Sequence, residues 1–223
     1  TAEVRVEHVT VAGGDPVEVE CIDTPAGPVV ASHEQDGRWS GIAVRWTATA
    51  EVDTTAGALL PMLRARSVDD LDRAFGPWVV PVNNVLMADT SGAIAYRMRG
   101  RLAVRPASHG WTVVDGADPT TGWQGYVPDE DLPRWRDPDR GFLVSSNNRI
   151  SADGPYVSHD WAHPTRARRI TELLGGRDGW RVDEVGALLG DTHSGIAARL
   201  AERLRPLSPA HPMEVRAVAL LDG

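Results

Sequence analysis

The sequence predicts an α+β protein, with strands dominating residues 1–150 and helices dominating 151–223. Three observations carry this. Short runs of apolar residues alternating with polar ones recur through the first hundred residues, separated by Gly, Pro and Asp turns. Apolar residues at helical spacing take over after Thr165. Between them, Val104 to Arg140 is rich in proline and glycine and reads as a long loop with short strands.

In order, Val4, Val6, Val9 and Val11 mark a first strand, and Gly13-Gly14-Asp15-Pro16 a turn. Val17, Val19 and Cys21 mark the return strand of a hairpin. A second turn at Thr24 to Pro28 leads to a strand from Val29 to Ser32. Ile42, Val44 and Trp46 share one face of a fourth strand, and four strands in so short a stretch predict a meander. Residues 54–76 read as helical, with Pro61 in a first turn and Ser67 as the hydroxyl cap of a second helix stopped by Gly76-Pro77. Val79 to Ala88 reads as a strand interrupted at Asn83-Asn84, where a bulge is expected. Asp89 to Gly92 is a hairpin turn, with Asp89 bonding its own backbone, and Ala93 to Met98 returns. Trp111, Trp123, Tyr126 and Trp135 are expected to pin the long loop by burying their rings.

Length and composition bound the function. The 223 residues suffice for a real core, and 42% apolar with 24% charged residues is the range of a globular protein. No run of eighteen apolar residues occurs, so no membrane span is expected. A net charge of −8 argues against a general nucleic-acid binder. All 23 basic residues are Arg, a bias that fits a GC-rich genome. The lone Cys21 excludes an internal disulfide and a Cys-rich zinc site, and reads as a small buried strand residue. Of the seven His residues, His159 and His163 are four apart, but Pro164 and the loop around them spoil a helical zinc site.

The richest chemistry lies in Gly141 to Leu174. Phe142 to Ser145 reads as a strand that runs into Asn147-Asn148. A loop with Pro155, Tyr156, Trp161 and Pro164 follows, and then a helix from near Thr165 carrying Arg166, Arg168 and Arg169. Ile170, Leu173 and Leu174 form its apolar face, and Gly175-Gly176 end it. Further amphipathic segments cover Val182 to Leu189 and Ile196 to Leu204, and Val215 to Leu221 closes the chain. An Asn amide N–H can stabilise an oxyanion, and an Arg can order a polar site. On the residues alone, Asn147 reads first as a turn residue bonding its own backbone, Arg166 and Arg168 as surface residues in i,i+4 pairs, and Arg169 as lying at the edge of the buried face.

This stretch resembles the penicillin acylase family of N-terminal nucleophile amidohydrolases. Further motifs carry the resemblance: T-x-x-GPVV at Thr24 to Val30, Arg45-Trp46-Thr47, P-x-NN-x-x-x-AD-x-x-G-x-I-x-Y from Pro81 to Tyr96, Gly100, Arg105, GW-x-G at Gly122 to Gly125, and P-x-x-x-LP at Pro128 to Pro133. The resemblance implies part of a four-layer αββα fold with two stacked antiparallel sheets. It implies that Asn147, or its neighbour Asn148, is the oxyanion-hole amide and Arg169 the active-site Arg. It also implies a calcium ion held near here by oxygen ligands, for which Asp160 and Asp153 are the candidates, with Ser158 nearby. No cofactor is required for the chemistry. The family's nucleophile opens its β chain after autoproteolysis. That opening segment does not occur here, and Thr1 leads into a strand matching an interior part. The chain is therefore expected to be an interior β-chain fragment, inactive alone, whose partners are a small-molecule amide and the remaining α- and β-chain segments. The parent is expected to cleave a linear amide, in a β-lactam side chain, an acyl-homoserine lactone or a lipopeptide, and to be secreted or periplasmic. Open strand edges and apolar patches are expected to favour self-association. The alternative from another class is a non-catalytic β-rich module whose Trp-rich loops bind carbohydrate or protein.

Overall fold

The computed structural model describes residues 2–50, 52–106 and 108–222. The chain divides into two compact units, one reaching to Pro138 and including Ser151–Asp160, the other made of Asp139–Ile150 and the chain from Trp161 onward.

The first unit opens with the expected meander. Strands β1 (Glu3–Val9), β2 (Val17–Thr24), β3 (Gly27–Gln35) and β4 (Arg38–Ala43) pair in sequence order, all antiparallel. The T-x-x-G motif explains the tight β2–β3 turn. Thr24 Oγ1 donates to the Gly27 carbonyl at 2.8 Å and accepts from Ala26 N at 3.1 Å. Gly27 has φ +113°, and a Cβ there would lie 2.1 Å from the Val44 carbonyl oxygen, so no other residue fits. Trp46 does not continue β4 as expected. Its carbonyl accepts from Thr49 N at 3.1 Å, which turns the chain into the short helix α1 (Thr47–Ala50).

Helices α2 (Leu59–Arg64) and α3 (Val68–Ala74) occupy the expected helical stretch. Ser67 caps α3 by accepting from Asp70 N at 3.1 Å. A second antiparallel sheet has the order β5 (Asn83–Ala88), β6 (Ile94–Arg99), β7 (Arg134–Arg136). Asn83 and Asn84 do not interrupt β5. They are its first two residues, opposite Arg99 and Met98 in an unshifted register. Pro81 has no N–H to give a ladder, so pairing starts after it. Asn84 earns its place inside the strand by accepting from the buried Tyr96 hydroxyl at 2.6 Å. Burial pushes the Tyr96 hydroxyl pKa up to about 12.

The core sits between α3 and this sheet. Val68, Met87 and Ala95 form its centre, with Leu71, Val85 and Ala93 packed against them. Beside it, Arg97 and Arg99 are only 4% and 6% exposed. Both guanidinium groups pair with Asp72 and Asp129. Burial raises the Asp129 carboxyl, but Arg99 and Arg97 outweigh it and hold the group below its ordinary value.

The second unit carries helices α4 (Thr165–Gly175), α5 (Val182–Ala187), α6 (Gly195–Leu204) and α7 (Pro212–Ala219). Three begin within a residue or two of where the apolar periodicity starts, while α7 starts earlier, at Pro212, whose missing N–H suits a first turn. Phe142 to Ser145 is not a strand, which corrects the expectation. A strand exists only through pairing, and among the described residues these four have no ladder partner. They form no regular element and run half-buried into Ser146 instead.

Candidate active site

The Asn147 turn is fixed by its own neighbours and by the first turn of α4. Asn147 has left-handed φ of 60°, a conformation Asn tolerates better than most residues. Its carbonyl accepts from Ala162 N at 3.0 Å, which draws the start of α4 back to the turn. Arg166 Nη2 then donates to the Ser146 carbonyl at 2.9 Å and to Asn147 Oδ1 at 3.0 Å. Ser146, 8% exposed, donates its N–H to Asn148 Oδ1 at 3.1 Å. Asn148 Nδ2 donates to the Arg149 carbonyl at 3.0 Å.

The two amides therefore differ. Asn148 spends both ends on local backbone and is the turn residue of the pair. Asn147 is exposed, its oxygen engaged and its Nδ2 without an acceptor among the described residues. Of the two, Asn147 has a donor to offer an incoming oxygen.

Arg169 does not meet Asn147. Its guanidinium donates to the Asp191 carboxylate, Nη2 to Oδ2 at 2.8 Å, and lies 3.9 Å from Glu172. Arg169 and then the His193 N–H hold the Asp191 carboxyl below its ordinary value. The shared polar site expected for Asn147 and Arg169 is thus formed by Asn147 and Arg166, a residue first read as part of a surface face. Helical periodicity placed Arg169 at the edge of the buried face. The Ala162–Asn147 hydrogen bond, which decides which turn of α4 arrives at the Asn, leaves no mark in the sequence.

Asp153 and Asp160 lie in the first unit, both exposed. Their backbone N–H groups donate to Ser151 Oγ at 3.2 Å and Ser158 Oγ at 3.0 Å. Among the described residues no group of three His, Cys, Asp or Glu gathers that could hold a metal. The loop of Asp153 and Asp160 is fastened by Arg105, which donates to the Val157 carbonyl at 2.6 Å, and by Tyr156, whose hydroxyl donates to the His109 carbonyl at 2.8 Å. Among the loop aromatics, Trp123 and Tyr126 are half-buried beneath Arg45 and Arg101. Trp111 departs from expectation, stacked on His159 yet 69% exposed. Thr1 lies outside the described residues. Among those described, no helix is long and apolar enough to cross a membrane.

The penicillin amidase family model matches residues 1–223. The chain belongs to the penicillin amidase family. It is 33% identical, over 91% of its length, to penicillin acylase 2 proenzyme of a Pseudomonas species (strain SE83), and covers 26% of that protein. It is 28% identical, over 98% of its length, to the acyl-homoserine lactone acylase QuiP of Pseudomonas fluorescens, covering 27% of it. Among solved structures, a thermostable penicillin G acylase from Alcaligenes faecalis matches the whole chain with a TM-score of 0.72 at 23% identity, the match covering 41% of that chain. That likeness bears on the fold alone. The chain spans about a quarter of the length of these curated penicillin amidase relatives. Motif residues of the family serve structure here, as Thr24 and Gly27 do in their turn, Asn84 beneath Tyr96 and Arg105 across to Val157. Asp89 does so too, accepting from the N–H groups of Ser91, Ala93 and Val68.

Proposed function

We propose that this chain is part of a penicillin-acylase-type hydrolase of linear amides, and that it supplies the oxyanion donor, Asn147. The observation that carries this reading is the Asn147 amide, held at its oxygen by Arg166 with its donor end free. In amide hydrolysis a nucleophile adds to the carbonyl carbon, and the carbonyl oxygen gathers negative charge. A preoriented N–H is worth most when aimed at that charge. The nucleophile, a Ser, Thr or Cys exposed by autoproteolysis with its own α-amino group as base, comes from another segment. So do most of the acyl pocket and the remaining layers of an αββα fold. The names of the relatives support an acyl group on a β-lactam nucleus or on homoserine lactone as the substrate class.

The reading predicts that the natural full-length polypeptide hydrolyses a chromogenic phenylacetyl anilide or an acyl-homoserine lactone, and that residues 1–223 alone do not. Turnover by residues 1–223 that is abolished in Thr1→Val would place the nucleophile at Thr1 and overturn the division of labour. A full-length polypeptide with no activity on either amide class would overturn the hydrolase reading.

A further inference from the structure

We propose that Arg166 is a positioning residue that fixes which end of the Asn147 amide faces outward. The proposal rests on Asn147 acting as the oxyanion donor. A guanidinium carries N–H donors and no acceptor. Arg166 Nη2 meets both the Ser146 carbonyl and Asn147 Oδ1, at 2.9 and 3.0 Å. Were the Asn147 amide to turn over, its NH2 would face the guanidinium, donor against donor. That rotation is closed, so Nδ2 stays turned away from Arg166.

The backbone is held as firmly as the side chain. The Asn147 carbonyl is engaged by Ala162 N, and Ser146 is pinned from both sides, by Arg166 at its carbonyl and by Asn148 at its N–H. Arg166 also acts through charge. A cation bonded to Oδ1 draws electron density from the amide and makes Nδ2–H the stronger donor. Neither effect comes from Arg169, whose guanidinium is committed to Asp191.

The test compares variants of the natural full-length polypeptide on a phenylacetyl anilide. Arg166→Ala lowers kcat about tenfold while KM stays within about twofold, because a misoriented donor is lost in the transition state more than in substrate binding. Arg166→Lys has only donors and recovers most of the loss. Arg166→Gln offers an acceptor, lets the amide turn over, and stays low. Arg168→Ala, at an exposed position of the same helix, leaves kcat unchanged. In an Asn147→Ala background, Arg166→Ala costs nothing further, since a residue acting through Asn147 has nothing left to orient. A purely structural Arg166 would instead lower activity in both backgrounds, and that result overturns the proposal. A large loss in Asn147→Ala with none in Arg166→Ala also overturns it and leaves the oxyanion role standing. No loss in Asn147→Ala overturns the oxyanion role itself. If Arg166→Ala fails to fold, the Lys and Gln variants decide: equal kcat in the two overturns the proposal.

Discussion

The sheet of β5–β7 with α3 and the Asn147 turn with α4–α7 are held together by different forces. The first has a dry centre of Val68, Met87 and Ala95, flanked by the buried Arg97 and Arg99 and their two carboxylate partners. In the second unit Ser146 is the one buried residue among those described, and polar clamps set the geometry: Arg166 on Asn147, Arg169 on Asp191, Arg177 on Glu184. Apolar burial stabilises roughly in proportion to area, whereas exposed ion pairs contribute little. The core region is therefore built to be stable in itself. The Asn147 region is held by directional polar contacts, which suits the oxyanion role proposed for it.

Truncation breaks or sharpens this contrast most strongly. Met87→Ala should destabilise the first unit by about 2–5 kcal/mol, through lost transfer energy and the cavity left behind. Leu200→Ala on the exposed face of α6 should change stability by no more than about 0.5 kcal/mol. Denaturant unfolding of both variants measures the difference, and equal losses would erase the contrast.

Next in size is association. Val182 and Leu189 are each 91% exposed, and Val4, Val6 and Val30 lie open on the first sheet. Residues 1–223 alone should self-associate at micromolar concentration in sedimentation, more at high salt than at low. A monomer at all concentrations would mean that these residues do not act as a joined apolar surface.

The smallest effect is the acid response of the β5–β6 turn. Hydrogen bonds from the Ser91 hydroxyl, the Val68 N–H and others hold the Asp89 carboxyl down to about 2, against an ordinary 3.8. The folded value is depressed, so this stabilisation is present above 3.8 and is lost as pH falls through about 2. Asp89→Asn should therefore lower the thermal midpoint slightly near neutral pH, and the gap from wild type should close as the solution is acidified. A gap independent of pH would assign the effect to something other than the carboxylate charge.

Much of the fold is legible in the sequence because its signals are local. Alternation marks β1, β2 and β4, Ser67 caps α3, and Asp89 makes the β5–β6 turn using atoms close by in the chain. The failures fall where partners are distant. Phe142 to Ser145 has the composition of a strand, but pairing is not local and no partner strand lies among the described residues. Trp46 looks like a strand residue until the Thr49 N–H takes its carbonyl. Within the site, Asn147 was legible as an amide that follows a short apolar run. Its partner was not, because the choice between Arg166 and Arg169 depends on how far a seventeen-residue loop folds back, which the Ala162–Asn147 bond sets.

The most direct test of Asn147 as the oxyanion donor is kcat for Asn147→Ala in the natural full-length polypeptide, measured on a phenylacetyl anilide beside its thermal midpoint. The structure predicts a fall of roughly a hundredfold or more in kcat, with a midpoint lowered only modestly, because the side chain is exposed but Ala tolerates the left-handed φ less well than Asn. A kcat within about threefold of wild type, in a variant that folds normally, would contradict it.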